Sequence, residues 1–299
     1  MDKKIIIIHK GGLGDFILSL PALISLKKAY ASLPIFLETT EINKHWLKTL
    51  NLLPLPLKLN QAIFKLFQEK DMPLELKTSQ IFWFKISQQE STRLKFPFIT
   101  YLYLVNDQKL EPVQKFLRKQ LHRLNLSWED NWKKHLNLPA RDPRHVLLFP
   151  GSGHKAKNWP LENFLTVYNE VKKILPTYFV LGYAEKHLKL NNVQLLRLND
   201  LTQLIQVLSQ AKFVLGNDSG PMHLASLLNV PGLVLFGPTP KEVWQPENLN
   251  ALSSPHPCAP CSLSAKIDCQ TPSCMQAISP DQVFTQIKTF LKNKGSKQN

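Results

Sequence analysis

Apolar residues recur along this chain in two spacings. Short unbroken runs at 5–8, 146–149, 178–182, 213–216 and 232–236 have the length of buried strands. Longer stretches, with apolar residues three and four apart, have the length of helices. The two kinds alternate. A strand at 5–9 leads through a glycine turn into a helix ending near Tyr30, and a second strand follows at 33–37. Later, helices at about 160–175, 201–211 and 221–228 separate the strands. A last helix opens at Ser279, with Pro280 at its first position and Gln282 placed to close a capping box. Such alternation predicts parallel α/β units.

Between about 40 and 143 the pattern is broken by Pro54, Pro56 and Pro73. The aromatic run 81–84 reads as strand or loop, and 112–124 as a basic helix. The stretch 137–144 holds two prolines and no apolar periodicity, which marks a linker. A length of 299 residues suits two domains. We therefore expect domains 1–143 and 144–299. Only 11 glycines occur, none of them between Asp15 and Pro150. Most of the others end strands, at Gly11, Gly12, Gly14, Gly151, Gly153, Gly182, Gly216, Gly220 and Gly237. Those turns lie where parallel sheets bind ligands, and glycine there allows positive φ or close backbone approach.

Composition adds one strong feature. Lys and Arg number 37 against 22 Asp and Glu, a net charge of +15, which draws phosphates, nucleic acid or an anionic membrane face. No apolar run approaches the ~18 residues that span a bilayer. His9, Lys10 and Asp15 interrupt the apolar start, so we expect a strand rather than a leader, and a cytoplasmic protein. Phosphate-loop, zinc-protease and serine-elbow motifs are absent.

Four motifs carry chemistry. Gly-Gly-Leu-Gly-Asp15 opens a helix, and its spacing alone makes Asp15 a helix cap. Pro-Gly-Ser152-Gly153-His-Lys-Ala-Lys157-Asn-Trp-Pro is a basic loop before a helix; it suits a phosphate, or is simply solvated. Asn-Asp218-Ser219-Gly220-Pro-Met-His223 ends a strand at a helix start, where free amides favour an anion. Asp218 there holds hydroxyls or caps the helix, and His223 has the spacing of a packed residue. Phe-Gly-Pro-Thr239 offers a backbone and hydroxyl contact. Apart from these, Cys258, Cys261, Cys269 and Cys274 have spacing that could hold structural zinc; packed thiols are the alternative.

In order and separation the four motifs resemble glycosyltransferase family 9, the heptosyltransferases of lipopolysaccharide core assembly. The cysteine segment resembles that of many members. The resemblance covers residues 5–30 and 144–290. It implies a GT-B architecture, two Rossmann-like domains with parallel sheets facing across a cleft. The acceptor would lie on the first domain and the donor, ADP-heptose, on the second, with the last helix, 279–293, packing back on the first. It makes Asp15 the general base of an inverting displacement, on the acceptor side with Gly12 and Gly14. It assigns Lys157, Ser219 and Gly220 to the leaving diphosphate, so that no metal cofactor is required. Ser152, Gly153, Asp218, His223 and Thr239 would line the donor site, with Glu185 at the ribose. The acceptor would be an anionic glycolipid of the lipid A–Kdo type, met at the inner-membrane surface. Pro240 stands where many members carry an acidic residue.

Two other readings compete. One keeps the fold but uses another nucleotide sugar, as a transferase or epimerase. The other is a basic nucleic-acid-binding protein, which the charge favours and the lack of any recognition motif disfavours.

Overall fold

The computed structural model describes residues 3–69, 72–89, 96–182, 185–264 and 266–293. It divides into two units, Met1–Asn137 and Leu138–Asn299. The division falls at Asn137 rather than at 143 because the following segment is tied to the second unit. Arg141 donates to the carbonyls of Ala211 and Asn229, and the amides of Asp142 and Arg144 donate to those of Ser209 and Gln210.

In the first unit, β1 (Lys4–His9), α1 (Leu13–Ala29), β2 (Ile35–Thr39), α2 (His45–Thr49) and β3 (Leu53–Pro54) come first. Next are α3 (Leu57–Glu69), β4 (Ser79–Lys85), β5 (Ile99–Tyr103) and α4 (Val113–Arg123). The strands form one parallel sheet in the order β3-β2-β1-β4-β5. The four isoleucines of β1 explain its central place. A β-branched run without polar alternation suits a strand covered on both faces. On one face Ile6, Ile8, Ile81 and Ile99 meet Leu59, Ala62, Ile63 and Leu66 of α3. On the other lies α1, apolar almost all round and packed against α4.

The second unit holds β6 (His145–Phe149), α5 (Leu161–Val171), β7 (Thr177–Leu181), β8 (Leu195–Arg197) and α6 (Leu201–Ser209). It continues through β9 (Ala211–Asn217), α7 (Gly220–Leu227), β10 (Gly232–Phe236), α8 (Lys241–Trp244) and β11 (Asn250–Ser253). It closes with α9 (Ser273–Gln276) and α10 (Pro280–Asn293). Its parallel strands lie in the order β11-β10-β9-β6-β7-β8. Counted from β6, this is the 3-2-1-4-5-6 order of a Rossmann sheet. Val146, Leu148, Phe213 and Leu215 form the core with Trp159, Phe164 and Val171. The last helix, α10, sinks Val283 and Ile287 into this same core, against α5.

Candidate functional site

In an open parallel sheet, ligands bind where the strand order reverses, beyond the carboxyl ends of the strands. In the second unit that point lies between β6 and β9. The loop after β6 carries Ser152, Gly153 and Lys157, and the turn after β9 carries Asp218 and Ser219 and leads into Gly220, the first residue of α7. Asn217, the last residue of β9, ties the loops together. Its amide donates to the carbonyl of Pro150 at 2.8 Å, and its Oδ1 accepts from the Trp159 N–H at 3.0 Å. Trp159 is buried, and its indole N–H donates to the carbonyl of Ile278. Both residues stand in the motifs, but their roles were not legible there, because their partners lie 58 to 119 residues away along the chain.

This anchoring sets Lys157 beside Asp218, with Nζ 2.8 Å from Oδ2. The Thr239 hydroxyl donates to the same Oδ2 at 2.8 Å. Thr239 thus helps to hold Asp218. Gly237 makes this turn possible: a Cβ there would lie 2.3 Å from Met275 Sδ and 3.0 Å from Cys274 Sγ. Ser219, not Asp218, is the extended N-cap of α7. Its hydroxyl is buried without a hydrogen-bond partner, beside first-turn amides that a helix cannot satisfy itself. His223 is buried one turn further on, with Nε2 3.9 Å from Asp218 Oδ1. Burial lowers it from the ordinary 6.5 to about 4, against the pull of Asp218, so it is neutral at physiological pH.

Ser152 turns inward, donating to the His154 carbonyl and lying 2.6 Å from Asn158 Oδ1. Gly153 has open space where a side chain would stand. Glu185 accepts from the Gly182 N–H at 3.1 Å and lies over Gly151, where a Cβ would come within 2.0 Å of its Oε1. Gly151 is thus the residue that admits Glu185. Among the described residues no glycine has positive φ; close approach accounts for Gly11, Gly151, Gly216, Gly232 and Gly237.

In the first unit, Gly12 is the N-cap of α1 and Gly14 lies in its first turn. Asp15, at the third helical position, accepts the Gly12 N–H at 2.9 Å through Oδ2. Asn43 braces the loop by donating to the Gly11 carbonyl. Behind the loop, Ser19 donates to the Asp15 carbonyl and lies 3.1 Å from His9 Nε2. His9 is buried, which lowers it to about 4. Its Nδ1 and the Oδ1 of Asn43 lack partners.

The four cysteines share one neighbourhood: Cys258 hydrogen-bonds Cys274, and Cys261 interacts with Cys258 and Cys269. Cys258, Cys261 and Cys269 are exposed and Cys274 is buried. Among the described residues no three His, Cys, Asp or Glu side chains gather closely enough to hold a metal ion. Burial pushes the Cys274 thiol up to about 11, with Cys258 adding to the shift. Cys274 packs beneath the Gly237 turn as a thiol.

Two Rossmann-like units, one with a cation, a carboxylate and a helix start at its switch point, define an α/β frame for phosphorylated ligands. The pattern of glycosyltransferase family 9 (heptosyltransferase) matches residues 79–270, more than half of the chain, which belongs to that family. It is thus a glycosyltransferase. Lipooligosaccharide heptosyltransferase 2 of Campylobacter jejuni is 27% identical over 254 residues, 79% of this chain and 75% of that one. Among solved structures, E. coli heptosyltransferase WaaC with ADP superposes with a TM-score of 0.65 at 15% identity, covering 96% of this chain and 99% of that one. E. coli ADP-heptose lps heptosyltransferase II superposes at 0.63 with 16% identity, covering 98% and 99%. The fold is the GT-B fold of these structures.

Proposed function

We propose that this protein transfers a heptose from ADP-heptose to a Kdo or heptose residue of the lipopolysaccharide inner core, by one inverting displacement without a metal ion. The observation that carries the reading is the group at the second unit's switch point. There Lys157, Asp218 and Thr239 are linked beside the unpartnered Ser219 hydroxyl and the start of α7. A leaving diphosphate needs such a cation and such donors, aimed where charge develops. Relatives support the donor: one solved structure of WaaC holds ADP, and another ADP-2-deoxy-2-fluoro heptose.

In this reading the second unit binds the donor. Lys157 and the amides of Ser219 and Gly220 take the diphosphate. Asp218, held by Thr239, orients sugar hydroxyls, and neutral His223 packs behind it. Glu185 takes the ribose, and Ser152 and Gly153 shape the loop around the phosphates. The first unit binds the acceptor at Gly12 and Gly14, and Asp15 removes the proton of the attacking hydroxyl. As that oxygen bonds to the anomeric carbon, the bond to the β-phosphate oxygen breaks and ADP departs with the electron pair. We further propose that the enzyme works at the cytoplasmic face of the inner membrane; among the described residues no helix is long and apolar enough to cross one.

Thermal-shift titration with ADP, ADP-heptose, UDP and GDP, with and without EDTA, tests the reading. Selective stabilisation by ADP and ADP-heptose, indifferent to EDTA, is expected. Selection of UDP or GDP, or dependence on a divalent cation, contradicts it.

A further inference from the structure

The outer face of α3 is built unlike an ordinary solvated helix face. The helix buries Leu59, Ala62, Ile63 and Leu66 against the sheet, and an ordinary surface helix turns polar residues to water on the opposite side. Here Leu57 and Phe64 point outward, 72% and 63% exposed. They are two helical turns apart, on one stripe about 10 Å long at 1.5 Å per residue. Lys58 and Lys65 repeat the same spacing alongside and are exposed. Neither lysine enters an ion pair or a hydrogen bond among the described residues. Asn60, Gln61 and Gln68 fill the rest of the face, and none of the helix's described side chains is acidic. Leu74, in the 3-10 turn packed on α3, extends the apolar surface, and Leu53, four residues before Leu57, is also exposed.

We propose that this face of α3 is where the protein rests on an anionic lipid bilayer. Apolar side chains flanked by lysines, on a helix packed along its domain, are what the headgroup boundary accepts. The charges complement anionic lipid, which attracts each nearby lysine. Two contrasts single out this helix. In the second unit only Ile174 is a strongly exposed large apolar side chain among the described residues. The other cationic helix, α4, buries Val113, Leu117 and Leu121 and exposes only its C-cap Leu124 among large apolar side chains, and its Arg118 and Lys119 are paired with Asp130 and Glu111. The choice of a bilayer over a protein partner rests on the proposed membrane-anchored acceptor.

Sedimentation of the full chain with phosphatidylethanolamine vesicles, with or without phosphatidylglycerol, tests this. Wild type should bind only the anionic vesicles and be released by salt. Leu57→Gln with Phe64→Gln, or Lys58→Gln with Lys65→Gln, should weaken binding roughly tenfold or more, and Ile174→Gln should not. All variants should keep wild-type ADP affinity and transfer to a delipidated, water-soluble acceptor, which excludes misfolding. If the α3 variants bind vesicles as wild type does, the proposal is overturned. It is also overturned if wild type ignores the vesicles and forms an oligomer that Leu57→Gln with Phe64→Gln dissociates. If wild type fails to use the soluble acceptor yet binds vesicles through α3, the proposed reaction falls and the docking surface stands.

Discussion

Lys157 and Asp218 form a nearly buried ion pair, 2.8 Å apart, with side chains 14% and 6% exposed. Burying two charges costs solvation that their attraction only partly offsets, so such a pair is weak evidence for stability. A role in binding explains it better. In the proposed function Asp218 would hold Lys157 in place, and the diphosphate would compete for the same ammonium group. Lys157→Ala should therefore weaken ADP binding roughly tenfold or more, the worth of a charge-assisted hydrogen bond. Asp218→Asn should do the opposite for ADP, tightening it several-fold by releasing Lys157 while slowing transfer. Calorimetric titration of both variants checks this; unchanged ADP affinity in Lys157→Ala would remove the lysine from the site.

In the proposed function Asp15 has two separable duties. Its carboxylate closes the cap on Gly12, and asparagine can still accept that bond. Asp15→Asn should keep stability within about 1 kcal/mol and Asp15→Ala should lose about 1 kcal/mol, as for a lost cap. Both should abolish transfer and leave ADP affinity unchanged. Urea unfolding beside a transfer assay separates the duties. Retained turnover in Asp15→Asn would refute the general-base role.

Gly151 and Glu185 should be coupled. A methyl group at 151 meets the flexible end of Glu185, so Gly151→Ala should cost about 1 kcal/mol, the worth of the Gly182 hydrogen bond that the carboxylate gives up as it moves. Glu185→Ala should relieve most of that cost in the double variant. Additive effects in the double-mutant cycle would mean that Glu185 moves aside freely.

Two buried histidines predict acid sensitivity. His9 and His223 are both lowered from 6.5 to about 4. Between those values the unfolded chain binds protons that the folded one refuses. Stability is full above about pH 6.5 and falls as the pH drops towards 4, by about 1.4 kcal/mol per unit for each histidine at most. Denaturation midpoints at pH 7.5, 6 and 5 should fall in that order, and His223→Gln should flatten the slope. A slope unchanged in that variant would show that His223 does not titrate this way.

The second unit was the more legible half of the sequence. Its strands are unbroken apolar runs such as those of β6 and β10, both central in the sheet, and each ends at a glycine or asparagine turn. The edge strands β8 and β11 escaped because they are short and only partly buried. In the first unit, α3 follows Pro54 and Pro56 and exposes Leu57 and Phe64, which blurs its helical period. The second strand lies at Ile35–Thr39 rather than 33–37, because Leu33 closes a turn onto Tyr30, whereas the polar Glu38 and Thr39 still pair with Ile8 and His9. For the site, the motifs located Lys157, Asp218 and Thr239 but not their mutual bonds, since the three lie on separate loops joined only through the sheet order. The Gly151–Glu185 contact was hidden for the same reason.

The most direct test is transfer itself. Purified protein is incubated with ADP-heptose and heptose-free lipopolysaccharide core in EDTA, and the product is read by mass spectrometry and by the configuration of the new glycosidic bond. The account predicts a mass gain of one heptose, an inverted anomeric centre and release of ADP, all lost in Asp15→Asn. No mass gain under conditions where ADP-heptose binds, or a product with retained configuration, would contradict it.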